Sequence, residues 1–140
     1  MKNFILILLC SHLFITTTMS QKKTFSLDIS IVGFKSDDGY ANLKLISLDD
    51  GKVHSSARLS ISELTASVQF EKIERGNYVV NLFHDENENN ALDRGNMNMP
   101  VEGYGFSNNQ INFQNFRPSD EENVFSVAED TEIDIIVFNY

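Results

Sequence analysis

From Phe25 to Ile31 the chain alternates: Phe25, Leu27, Ile29 and Ile31 fall on one face, Ser26, Asp28 and Ser30 on the other. A period of two is the mark of a half-buried strand. The same reading extends along the chain. Ser36–Gly39 is a turn signal, and Tyr40–Leu48 is a second strand with Leu43 and Leu45 on one face. Asp49–Gly51 turns again. Residues 52–66 are ambiguous, since "ARLSISEL" suits a short strand or an irregular crossing. "ASVQFEKI" (Ala66 to Ile73) predicts a strand that "ERG" reverses. "NYVVNLFHD" comes next, rich in aromatic and β-branched residues. "NVFSVA" (Asn123 to Ala128) and "TEIDIIVFNY" supply the last strands, with Ile133, Ile135 and Val137 alternating against Glu132, Asp134 and Ile136.

No amphipathic helix, internal repeat or low-complexity linker interrupts this series. Strands joined by Gly and Asp turns predict an all-β fold, an antiparallel β-sandwich of about seven strands, transthyretin-like or immunoglobulin-like. Residues 85–122 depart from the pattern, with few apolar runs and much Asn. Loops this long are usually functional or disordered. Tyr104, Phe106, Phe113 and Phe116 argue for a segment packed on itself or over one end of the sandwich.

The first 20 residues read as a secretory signal peptide: Lys2 precedes a short apolar run, and Thr18-Met19-Ser20 sets small residues before Gln21. The run falls short of the roughly 20 apolar residues of a membrane span. Cys10 lies inside the run with Leu9 before it, which does not suit a lipidation site. One domain, 21–140, remains. Cleavage removes Lys2, no acid and the only cysteine, taking the net charge from −9 to −10 and leaving no disulfide. So acidic a surface disfavours nucleic acid and anionic membranes. Cations, neutral sugars and basic partners stay open.

Candidate chemistry gathers in "FHDENENNALDRG" (Phe83 to Gly95). Asp85, Asn87, Asn89 and Asp93 stand at loop positions 1, 3, 5 and 9. Calcium takes six to eight oxygens, and alternate residues of a tight loop turn their oxygens inward. Position 6 needs a sharp turn; Asn90 is the non-glycine residue that best tolerates one. Ala91 would offer its carbonyl, and Glu86 or Glu88 could add an oxygen if the loop bends. Asn96 stands at position 12, where the helix-loop-helix pattern has a bidentate Glu. The competing reading is a loop held by Asx-turns.

A second group is "MPVEGYGFSNN" (Met99 to Asn109). Tyr104, Phe106, Asn108 and Asn109 could bind a sugar or peptide; alternatively the aromatics plug the core while Gly103 and Gly105 shape a turn. Signs of catalysis are thin. His84 beside Asp85 could move a proton, but no nucleophile elbow, zinc-protease motif or paired cysteine is present.

"FEKIERGNYVVNLFHDENENNALDRG" followed by "MPVEGYGFSNN" resembles the bacterial family known as domain of unknown function 2141. The shared phrase is carried by Gly76, Tyr78, His84, Asp85, Asn87, Asn89 and Asp93, then Pro100, Glu102, Gly103, Gly105, Phe106 and Ser107. Asn90 departs from it, standing where the family often has Gly. The resemblance implies a small exported β-sandwich, similar to transthyretin-like and carbohydrate-binding-like domains, with no established activity.

The expectation is therefore an exported, non-catalytic module, periplasmic or secreted. It would bind calcium through Asp85, Asn87, Asn89, Ala91 and Asp93, and recognise a protein or carbohydrate through Tyr104, Phe106, Asn108 and Asn109. The alternatives are a metal-free structural or interaction protein of the cell envelope, and a small transthyretin-like hydrolase or isomerase using His84. The oligomeric state is not legible.

Overall fold

The computed structural model describes residues 22–110 and 122–139. The expected signal peptide, residues 1–20, and Phe113 and Phe116 lie outside them. Among the described residues there are eight strands: β1 (Thr24–Val32), β2 (Tyr40–Ser47), β3 (Val53–Ser60), β4 (Thr65–Glu74), β5 (Gly76–Asp85), β6 (Tyr104–Phe106), β7 (Phe125–Val127) and β8 (Thr131–Ile136). They form two sheets, β4-β1-β8 and β3-β2-β5-β6, with β7 also paired to β5. The expected all-β sandwich is the observed architecture.

The alternation read from β1 is the one observed. Phe25, Leu27, Ile29 and Ile31 are buried against Ala41, Leu43 and Leu45 of β2, Val80 and Leu82 of β5, and Ile135 of β8. Each such side chain contributes about 1.5–3 kcal/mol on leaving water. The ambiguous stretch after Gly51 is strand β3, paired antiparallel to β2 from Tyr40↔Ser60 to Ile46↔Val53. Its turn into β4 puts Glu63 and Leu64 in the left-handed region. The Asp37 carboxylate accepts hydrogen bonds from both of their amides, at 3.0 and 2.8 Å.

Two features differ from the sequence reading. The β1–β8 pair is parallel, from Leu27↔Thr131 to Val32↔Ile136, so the sandwich is not wholly antiparallel. The long 85–122 segment contains an edge strand. β6 pairs with β5 through Asn81↔Phe106, Leu82↔Gly105 and Phe83↔Tyr104, and Tyr104 pairs in turn with Phe138. Gly105 does not make a turn here. It faces inward opposite Leu82, where a Cβ would lie 2.9 Å from Ile135 Cγ2; its lack of a side chain lets β8 approach β6. Ser107, fully buried, joins β5 to the chain around residue 123: its hydroxyl accepts from Val80 N and donates to the Asn123 carbonyl.

The turn before β2 is pressed against the end of β5. Gly39 has φ +68°, and a Cβ there would collide with the Asp85 carbonyl oxygen. Gly39→Ala should therefore lower stability by at least about 2 kcal/mol, through backbone strain and displacement of the β5 terminus. Urea unfolding, read as a shift in midpoint at constant slope, measures this.

Candidate functional site

The loop after β5 is positioned by strand register. β2 and β5 pair up to Tyr40↔Asp85, and the β5–β6 pairing continues through a 2.7 Å hydrogen bond from His84 N to Gly103 O. Residue 102 is thereby set beside residues 85 and 86. Glu102 is 5% exposed, and its carboxylate spans the mouth of the loop: Oε1 accepts from Glu86 N at 3.0 Å, Oε2 from Asp93 N at 2.9 Å. Beyond Asp93 the chain makes a small hairpin, with Val101 N donating to Asp93 O and Gly95 N to Met99 O. Asn96 falls in the short 3-10 turn of this hairpin.

Within the loop the side-chain oxygens turn inward onto the loop's own amides. Asn87 Oδ1 accepts from Asn89 N at 3.1 Å, Asn89 Oδ1 from Ala91 N at 2.8 Å, and Asp85 Oδ2 from Asn90 N at 3.0 Å. The two amide groups then converge on Asp93: Asn87 Nδ2 donates to Oδ2 at 2.6 Å and Asn89 Nδ2 to Oδ1 at 2.9 Å. Three of the four side chains named from the sequence, Asn87, Asn89 and Asp93, are thus bound to one another, the Ala91 amide donates to Asn89, and Asp85 holds the loop through Asn90 N instead. Asn90 has φ +63°, the left-handed turn expected of it; Glu88 shares that conformation at +62°. Glu86 and Glu88 do not join this cluster. Glu86 pairs with Lys35 at 3.1 Å and Glu88 with Arg58 at 3.4 Å.

Asp85 carries the least expected feature. It is fully buried. Oδ2 also accepts from Asn42 Nδ2 at 3.0 Å, while Oδ1 has no hydrogen-bond partner. Burying a carboxylate oxygen without a donor is costly. Among the described residues, no Lys or Arg pairs with Asp85, Asp93 or Glu102, and no three His, Cys, Asp or Glu side chains form a metal-holding group. Any cation here would rest on two aspartates together with amide and backbone oxygens.

His84 is fully buried. Its Nε2 lies 2.7 Å from Asp38 O, the Phe34 ring meets it edge-on with centroids 5.2 Å apart, and its Nδ1 has no hydrogen-bond partner. This is the position of a packed core histidine that ties the 36–39 turn to β5.

The four residues expected to bind a ligand are not gathered into one face. Tyr104 and Phe106 are 2% and 6% exposed. The amides expected to meet a sugar serve the backbone instead. Asn108 Nδ2 donates to Glu122 O and Val124 O. Asn109 bonds the open edge of β8, donating to Asp134 O and accepting from Ile136 N. Glu102, to which the sequence pattern alone gives no role, is the residue that closes the loop. Its signal lay in the β6 register, which a three-residue strand does not reveal.

Glu102→Ala leaves two loop amides without their acceptor and should cost about 2–4 kcal/mol, whereas Glu102→Gln, keeping one acceptor oxygen, should lose roughly half as much. Denaturant unfolding gives the ordering, and amide exchange at Glu86 and Asp93 should quicken in both variants.

Among the described residues, no helix is long and apolar enough to cross a membrane. No curated protein and no solved structure matches the chain. A family model described as "Uncharacterized protein conserved in bacteria (DUF2141)" matches residues 28–135, a span that runs from β1 through the loop and the Glu102 clamp into β8. The chain belongs to this family.

Proposed function

We propose that the protein is an exported, non-catalytic β-sandwich module whose 85–93 loop binds one calcium ion. The observation that carries this reading is the Asp85 carboxylate, fully buried with Oδ1 unpartnered, at the root of a loop whose Asn87 and Asn89 side chains are drawn onto Asp93. A hard cation would supply the missing partner and offset the charge of Asp85 and Asp93. Asp85, Asn87, Asn89, the Ala91 carbonyl and Asp93 provide five groups, and water completes the six to eight oxygens calcium takes. Magnesium suits the loop less well, since it demands strict octahedral geometry and keeps its waters.

The non-catalytic part of the reading draws support from His84. An imidazole sealed between Phe34 and Asp38 has no route to a substrate. Export rests on the leader-like residues 1–20. Outside the cell, calcium is abundant enough for a site with a dissociation constant of about 10⁻⁴–10⁻³ M.

Thermal unfolding with calcium and with chelator tests the proposal. At about 10 mM calcium, binding to the folded state alone adds roughly 1.4–2.7 kcal/mol. For a domain of this size that raises the midpoint by about 5–10 °C. Asp85→Asn and Asp93→Asn should each abolish the rise. A midpoint indifferent to calcium in the parent protein would remove the ion from the account and leave a loop held by its Asx-turns alone.

A further inference from the structure

A groove of about 580 Å³ lies on the outer face of the five-stranded sheet. Two rows of paired residues cross its floor. One runs Arg58–Asn42–Phe83–Tyr104, the other Ser56–Lys44–Asn81–Phe106. The rows share a polarity: cationic where β3 and β2 meet, aromatic toward β6. The loop after β5 and its hairpin form a wall, contributing Asn90, Leu92 and Arg94. The volume is that of a small-molecule site.

The charge pattern runs against the rest of the molecule. The chain carries a net charge of −9, yet Lys44, Arg58 and Arg94 line this groove and, among the described residues, no Asp or Glu does. Arg58 is held in place. Its guanidinium stacks 3.9 Å from the Tyr40 ring centroid and donates to Asn90 Oδ1 at 2.9 Å and Glu88 Oε2 at 3.4 Å. A guanidinium has five N–H donors, so these bonds leave some unspent. Arg94 donates to the Asn98 carbonyl, and Lys44 forms no ion pair among the described residues. A held guanidinium, two further cations and the half-buried Phe83 ring fit a ligand that is negative at one end and flat and apolar at the other.

We propose that this groove binds a small organic anion, a carboxylate carried on a ring. The carboxylate sits at the Lys44–Arg58 end, within reach of Arg94, and the ring lies over the half-buried Phe83. An aromatic acid and an acidic saccharide share this chemistry. The groove is separate from the ion loop's interior, and the proposal stands whether or not the loop holds calcium.

Titration of the isotope-labelled protein with 2-naphthoate, with a digalacturonate and with neutral 2-naphthalenemethanol tests it. At least one of the two anions should shift the backbone amides of residues 42–44, 81–83 and 104–106 saturably, and the responding anion identifies the ring class. The neutral alcohol should bind about tenfold more weakly or not at all. Lys44→Gln, at an exposed position without an ion pair among the described residues, should weaken the anion severalfold. Lys44→Gln combined with Arg94→Gln should weaken it about tenfold, with the thermal midpoint unchanged. The proposal is overturned if neither anion shifts those amides at millimolar concentration, if the alcohol binds as well as the acid, or if the double variant binds as tightly as the parent.

Discussion

A single buried carboxylate decides the shape of the chain after β5. Glu102 holds Glu86 N with one oxygen and Asp93 N with the other, so the two ends of the loop are joined through one rigid group. Everything between them must then fit a fixed span. That is why Asn90 and Glu88 take left-handed conformations and why the Asx-turns of Asn87 and Asn89 nest inside. Glu102 can do this only because β6 is docked on β5 in one register, and a slip of one residue would turn its side chain to the opposite face.

The cost of the arrangement is electrostatic. Asp85 and Glu102 are both buried, Asp93 lies at the loop's centre, and the nearby cations go elsewhere: Lys35 to Glu86, Arg58 to Glu88. Glu102 and Asp93 are satisfied by N–H donors; Asp85 is satisfied at one oxygen only. Such a surplus of acceptors is stable only if something positive is close or if the rest of the fold offsets it. The same loop presents its outer side to the sheet groove through Asn90, which is bound to Asp85 by its amide and to Arg58 by its side chain.

What the sequence made legible was whatever repeats over many residues. The alternation in β1, β2 and the Ile133–Val137 stretch identified inward faces because each run obeyed one period along its length. The loop's Asx-turns were legible for a similar reason: Asn87 and Asn89 stand two positions apart, and Asn90 signals its own backbone conformation. Short or non-local features stayed hidden. β6 has three residues, too few for a period, so Tyr104 and Phe106 suited a ligand-binding surface or a core plug and did not announce a strand. Gly103 and Gly105 read as turn residues, but neither has positive φ, and both are small because another strand passes close by. Nothing local announces that Asn109 would complete the edge of β8, 25 residues away, or that β8 would lie parallel to β1.

That parallel pair has a kinetic side. β1 is the middle strand of its sheet, and one of its two neighbours, β8, begins only at Thr131. Until β8 docks, β1 has an unsatisfied edge, and Ile29 and Ile31 lack Ile133 and Ile135 beside them. Closing a sheet across roughly a hundred residues is slow compared with forming hairpins. The three-stranded sheet thus closes only once Thr131–Ile136 has joined it, and a chain cut short before Thr131 would present a sticky, half-made sheet to its surroundings.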